Sequence, residues 1–451
     1  MNDSSYAIRV GFRREGRWLL GELGAGRGVH LDEFALCSQQ IGTLPVLAAD
    51  LLRVACAIYA VDRLVRRRAG RRTGTRDITL EISVAEPDFW RDSAMTDRIR
   101  ETVELLSDDV WEFDFVASKI KPAPQCWFDW DSCPTLSLYS GGLDSAAGLA
   151  TRLRSFAGTM ITVTAWHQAR QLRRVQEQVL RLRQRYEARV NPIIVKVAMV
   201  KPPPLRSQEL TQRCRSFLFA SLGAAVAAAL RSTTIEVYEN GIGAINLPLL
   251  RGMATCSRTT RSSHPRFLEL MSQIATYVAN RSVQFKLPHL DRTKGELVRT
   301  LAADGLADVA ASTVSCVHYP VRDRANQCGH CAACVGRRQA MLVAGIHEPP
   351  GTYSVDLFAA RSALNQLPAH QVRFLKAMVI QADLLGELRC SVLPDWFRRY
   401  VLGTGVASSD DMLSRLVDVH LRYRAEWLEL AEFGRAEGWN WAKWLSQEPA
   451  A

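Results

Sequence analysis

Six consecutive residues, Ser140-Gly141-Gly142-Leu143-Asp144-Ser145, have the types and order needed to hold an anion. They follow an apolar stretch, LSLY, that reads as a strand, and they open AAGLATRL, which reads as a helix. Two glycines let the backbone approach a phosphate closely. Successive N–H groups and the start of a helix present partial positive charge to it. Ser140 and Ser145 add hydroxyl donors, and Asp144 could hold Mg²⁺ or cap the helix. The loop is neither Gly-x₄-Gly-Lys-Ser/Thr nor Gly-x-Gly-x-x-Gly. Two glycines alone would read as a tight turn; the strand, the helix and the flanking Ser, Asp and Ser together favour the phosphate loop.

A second chemical signal lies in SCVHYPVRDRANQCGHCAACVGRRQAM, where Cys316, Cys328, Cys331 and Cys334 are spaced C-x₁₁-C-x₂-C-x₂-C. Four thiolates at this spacing suit tetrahedral Zn²⁺, three of them delivered by one turn and the first turn of a helix. A [4Fe–4S] cluster is the alternative. His318 and His330 compete as ligands, with His330 expected to point outward. The other seven cysteines are scattered singly, and four unpaired thiols in a cluster point to metal rather than disulfides.

The elements that must position these groups are legible from periodicity. GTMITVTAWH (158–167), PIIVKVAMV (192–200) and TIEVYENG (234–241) read as strands. Helical segments at 168–188, 217–231 and 267–281 separate or follow them, and PPP (202–204) marks a connection. Such alternation implies a doubly wound α/β domain with a parallel sheet. Its expected limits are 132–345, including a zinc-binding C-terminal edge. Residues 1–131 read as an α+β extension with strands at 6–12 and 78–84 and a helix at 44–67. Residues 346–451 read as a helical extension rich in tryptophan.

With 451 residues, 47% apolar and 23% charged, the chain has ordinary globular composition, which excludes a disordered or collagen-like protein. No run is apolar enough to span a membrane and no secretory signal stands at the start, so the expected location is cytoplasmic. The net charge of +11 permits a nucleic-acid partner without favouring one. An arginine run from Arg63 to Arg76 reads first as a solvated helix end and loop, second as an acidic or nucleic-acid contact.

The hexapeptide in its strand–helix setting resembles the PP-loop of the N-type ATP pyrophosphatases. That resemblance implies ATP held by its β,γ-phosphates on Ser140, Gly141, Gly142, Leu143, Asp144 and Ser145, with Mg²⁺, while a substrate oxygen attacks the α-phosphorus. Together with the four cysteines, Arg337 or Arg338 and Ala340, the chain resembles the 7-cyano-7-deazaguanine synthase (QueC-like) family of the queuosine pathway. RCRSFLFAS (213–221) and LPHLDRTKGELVRTLAADG (287–305) are similar to further segments of that family, through Arg215, Phe217, Leu218, Thr293, Lys294 and Glu296. The resemblance implies adenylation of 7-carboxy-7-deazaguanine, displacement of AMP by ammonia, and ATP-driven dehydration of the amide to the nitrile. Ser140, Asp144, Ser145 and Lys294 are the catalytic candidates. Lys294 would contact phosphate, its alternative being a solvated helix-start lysine.

The chain departs from the family after the fourth strand, where EVYENGIGAINLPLLRG replaces a Gly-x-Asn…Asp…Tyr-x-Asp-Cys stretch. Glu239 and Asn240 there are candidate substrate-binding groups, Glu239 for the amino edge of a deazaguanine; a turn-forming Asn-Gly loop is the alternative. His264-Pro265-Arg266 stands where an acidic segment is expected. Long chains of this layout resemble synthase-like proteins of bacterial antiphage defence, including the four-gene type named for its ATPase, synthase-like and nuclease parts. That resemblance implies a partner protein as the amine acceptor. A PP-loop tRNA-modifying enzyme and a non-catalytic nucleotide- or deazaguanine-sensing scaffold are the competing readings.

Overall fold

In the computed structural model of the chain, the described residues are 5–15, 18–24, 27–38, 41–67, 75–119, 133–200, 208–209, 211–249, 261–318, 326–359, 364–388, 393–403 and 410–445. The triproline connection and the middle of the arginine run (Arg68, Arg71 and Arg72) lie outside them. Among the described residues are ten strands: β1 (Ser5–Glu15), β2 (Trp18–Gly24), β3 (Arg27–Asp32), β4 (Asp77–Val84), β5 (Val110–Ala117), β6 (Thr135–Leu138), β7 (Met160–Trp166), β8 (Val190–Val200), β9 (Thr234–Val237) and β10 (Gln284–Lys286).

They form one sheet in the order β10-β9-β6-β7-β8-β3-β2-β1-β4-β5. The β10-to-β8 half is parallel throughout. β7 explains why: MITVTAW is buried along nearly its whole length, as a strand covered on both faces must be. One cover is a layer containing the helices Leu143–Ser155, Ala169–Arg185 and Lys294–Ala303, which share a core through Leu149, Val179 and Leu297. Val175, Val179 and Leu182 make the buried stripe of the arginine-rich helix at three- and four-residue spacing. The other cover holds Arg215–Ala229 and Pro265–Ala279. The first of these is apolar almost all round because it lies between the sheet and a further helix, Val46–Leu64.

That further helix belongs to the N-terminal segment, and here the structure adds to the sequence reading. β3 pairs antiparallel with β8, placing Val29 opposite Met199 and Leu31 opposite Val197. The sheet therefore runs unbroken across the 131/132 division. Strands β2, β3 and β5 and the helix Ser93–Ser107 escaped the periodicity reading; so did β10, only three residues long. A buried ionic cluster also ties the two parts together. Arg76 lies 2.9 Å from Asp62 and 2.5 Å from Asp109, and Asp62 accepts the Cys214 N–H at 3.0 Å, at the head of the helix Arg215–Ala229.

The C-terminal segment is helical, with Ala369–Leu384, Asp395–Gly403 and the 27-residue Asp410–Ala436. Its core gathers Phe358, Trp427, Trp439 and Trp441, with Trp427 and Trp441 edge-to-face at 5.5 Å. Among the described residues, no helix is long and apolar enough to cross a membrane.

Candidate active site and metal centre

The strand order reverses between β6 and β9, and an open α/β sheet offers a crevice at that point, beyond the carboxyl ends of its strands. Ser140–Ser145 leaves β6 at this crevice, and Glu239-Asn240 leaves β9. Gly141 adopts φ +74°, a conformation a side chain would strain, and Leu143 begins the helix Leu143–Ser155. The loop is braced internally. Ser145 Oγ donates to the Gly142 carbonyl at 2.9 Å, the Gly142 N–H donates to Ser140 Oγ at 3.2 Å, and the two hydroxyls lie 3.2 Å apart. Ser140 is exposed, and Ser145 is buried at the foot of the helix.

Two residues that the sequence reading passed over hold the loop from behind. Tyr139 donates its hydroxyl to Gln178 at 2.9 Å, and Gln178 donates to the Gly141 carbonyl at 3.3 Å. Gln178 was findable: it is a polar residue on the apolar stripe of its helix, 1% exposed, and such a group needs a partner.

Lys294 reaches this loop from the other side. Thr293 caps the helix Lys294–Ala303, and Glu296 completes a capping box. The first helical residue is thereby fixed, and its Nζ lies 2.8 Å from Asp144 Oδ2. Burial works against the ammonium, but Asp144 and Glu239 outweigh it and hold the Lys294 pKa above its ordinary value. Asn240 is 1% exposed and fully engaged. Its amide donates to Asp144 Oδ1 and to Glu239 Oε1, each at 2.8 Å, and its carbonyl oxygen accepts the Gly243 N–H at 3.0 Å. Asn240 therefore bridges two carboxylates. Glu239 also faces the Ser263 hydroxyl at 3.4 Å. Its pKa is pushed up to about 8, by burial first and by the Asp144 charge second.

His264 caps the helix Pro265–Ala279, accepting the Arg266 N–H on Nδ1 at 3.2 Å; burial and Arg261 push its pKa down to about 4. Arg266 is spent on Glu101 and Glu269, at 2.5 and 2.8 Å. The basic segment is thus built into local structure.

The four cysteines come together. Cys316, Cys328, Cys331 and Cys334 are buried with their sulfur atoms within 4.8 Å of one another, forming a group able to hold a metal ion. Cys331 caps the helix Ala332–Val343, Cys334 lies in its first turn, and Cys328 precedes it on the connecting turn. The N–H groups of Cys328, Cys331 and Cys334 each point at a ligand sulfur at 3.4 Å, the arrangement that steadies thiolates. The donor set and its closeness fit a closed tetrahedral site. His318 and His330 stand outside it, their rings 5.9 Å apart, and His330 faces His370 at 6.0 Å.

Residues 259–345 match the family model described as "Queuosine biosynthesis protein QueC", which supports a QueC-like family for this chain. The matched span takes in Ser263, Lys294 and all four cysteines, about a fifth of the 451 residues, and begins after Ser140–Ser145 and Glu239. No curated protein matches the chain.

Proposed function

We propose that the chain is an ATP-dependent carbon–nitrogen ligase that activates the carboxylate of a 7-carboxy-7-deazaguanine. The observation that carries this reading is the meeting of Ser140–Ser145, Lys294, Asp144 and Glu239 at the crevice where the strand order reverses. The QueC match over the Lys294 and cysteine segments supports the substrate class.

In this reading the loop N–H groups and the Ser140 hydroxyl hold the β,γ-phosphates of ATP. A substrate carboxylate oxygen attacks the α-phosphorus, and the bond to the bridging oxygen breaks. Negative charge develops on the departing pyrophosphate, where the loop dipoles and the Lys294 ammonium offset it, an electrostatic contribution made chiefly in the transition state. Asp144 would hold Mg²⁺, which would neutralise phosphate charge on the nucleotide. An amine then attacks the acyl carbon and AMP departs. Glu239, with a pKa near neutrality, is suited to take up the proton the amine loses, or to read an amino edge. The amine is ammonia if the product is the amide and then the nitrile. It is a protein amine if the chain serves antiphage defence as its layout suggests. Zinc held by Cys316, Cys328, Cys331 and Cys334 would fix the loop and helix beside Lys294 and take no chemical part.

The test is to incubate the protein with ATP, Mg²⁺ and 7-carboxy-7-deazaguanine and to measure AMP and pyrophosphate with and without ammonia. Substrate-dependent AMP is expected, and a deazaguanine product separates nitrile formation from transfer to protein. No AMP under either condition overturns the ligase.

A further inference from the structure

Lys294 owes its position to more than its own capping box. Glu426, on the helix Asp410–Ala436, is 5% exposed and lies 133 residues further along the chain than Thr293. One carboxylate oxygen accepts the Thr293 hydroxyl, and the other accepts Gln339 Nε2 at 2.9 Å. The carboxylate sits so close over the cap that a Cβ on Gly295 would fall 2.5 Å from it, so a side chain there would have to displace the carboxylate. One turn earlier, Arg422 donates from Nε to Glu296 Oε1 at 2.8 Å and from a terminal nitrogen to the Asp291 carbonyl. Two side chains at i and i+4 thus grip both halves of the capping box. The grip has a third anchor, because Gln339 stands on the helix that Cys331 caps.

We propose that Glu426, supported by Arg422, is a positioning residue that sets Lys294 against Asp144, so that the C-terminal helix governs whether the crevice is ready for an anion. Lys294 is the first residue of its helix, and its reach to Asp144 depends on where that turn starts. Thr293 provides the cap, and its hydroxyl both accepts the Glu296 N–H and donates to Glu426. Removing the acceptor at 426 leaves that hydroxyl without its partner and frees the cap to rotate. The contact also costs stability, since burial raises the Glu426 pKa against the help of Thr293 and Gln339. The same long helix touches the other side of the crevice: a Cβ on Gly241, beside Asn240, would lie 3.1 Å from Val419. Displacement of this helix would therefore be felt by both loops.

The proposal rests on the nucleotide reading only in its second readout. The first is the acetylation of Lys294 by acetic anhydride in the full chain, measured by mass spectrometry relative to exposed Lys286. Glu426→Leu keeps the size and loses both acceptors; Glu426→Gln keeps an acceptor for Thr293. Lys294 should acetylate about tenfold faster in Glu426→Leu, because the Asp144 pair that holds its pKa up is weakened, and near the native rate in Glu426→Gln. The second readout is Mg·ATP affinity, expected to weaken in the same order. Native acetylation of Lys294 in Glu426→Leu overturns the proposal, even if the variant melts earlier, because a purely structural role predicts that pattern. Should Glu426→Leu fail to fold, Arg422→Ala makes the same comparison. A changed acetylation rate with no ATP affinity in any form would leave the positioning intact and remove the ligase reading.

Discussion

Lys294 and Asp144 meet at 2.8 Å across 150 residues of sequence, one at the start of a capped helix, the other in the first turn of the loop helix. In the proposed ligase, an ammonium held there would offset charge on a departing pyrophosphate without reorganising. Lys294→Met keeps most of the side-chain bulk and removes the charge. It should lower AMP formation about 10²–10³-fold, the effect of deleting one preorganised charge-stabilising donor. The fall should appear mainly in kcat, read by steady-state release of pyrophosphate. An unchanged kcat would take Lys294 away from the phosphates.

Glu239 makes stability depend on pH. Its folded-state pKa is raised to about 8, so between the ordinary carboxylate range and pH 8 the folded chain binds more protons than the unfolded one. This contribution is fully present at low pH, shrinks as pH rises through that window and levels off above it. Glu239→Gln should flatten the decline in Tm between about pH 5 and pH 8 relative to the native chain, read by thermal unfolding across that range. Equal slopes in the two proteins would mean that Glu239 ionises normally. Asn240→Ala should act in the opposite sense, steepening the decline, because it removes the amide that satisfies both carboxylates.

The parallel half of the fold was legible because β7 and the helix Ala169–Arg185 each carry a clean period, and because the loop and the cysteines are local in sequence. The junction with the N-terminal segment was not. β2 and β3 are held by neighbours on either side, and nothing in TrpLeuLeuGlyGluLeuGly or ArgGlyValHisLeuAsp announces that the next strand will be β8. Asn240 illustrates the same limit at the site. Its type suggested a ligand contact, but only the placement of Asp144 beside it shows that both amide hydrogens are already used. Glu426 left no local signal, since its partners Thr293 and Gln339 lie 133 and 87 residues away.

The junction itself can be tested at Arg76. Its guanidinium is 1% exposed and serves Asp62 and Asp109 together. Arg76→Ala would leave the buried Asp62 carboxylate without its cation and Asp109 with Arg67 alone, a loss of about 3–5 kcal/mol by the usual cost of breaking a buried pair from one side. The urea midpoint should fall accordingly, with the N-terminal segment and the Arg215–Ala229 helix losing hydrogen-exchange protection together, because Asp62 also receives the Cys214 N–H. Loss of protection confined to the N-terminal strands would show that the two parts unfold independently.

The cysteine cluster should hold one zinc per chain, and its removal should be felt at the crevice. The helix that begins after Cys331 carries Arg337, which reaches Glu348 at 2.9 Å, and Gln339, which reaches Glu426 at 2.9 Å. Without metal, four buried thiols have no common partner, and thiolates would repel one another; the turn from Cys328 to Cys334 should then loosen. Cys334→Ser is expected to lose zinc, lower Tm and raise the acetylation rate of Lys294, since the Gln339 anchor of Glu426 moves with that helix. Metal analysis of the purified chain checks the first step directly. A brown protein with iron and acid-labile sulfide would replace zinc by an iron–sulfur cluster at the same four ligands. A zinc-free Cys334→Ser variant with native Lys294 reactivity would separate the metal centre from the crevice.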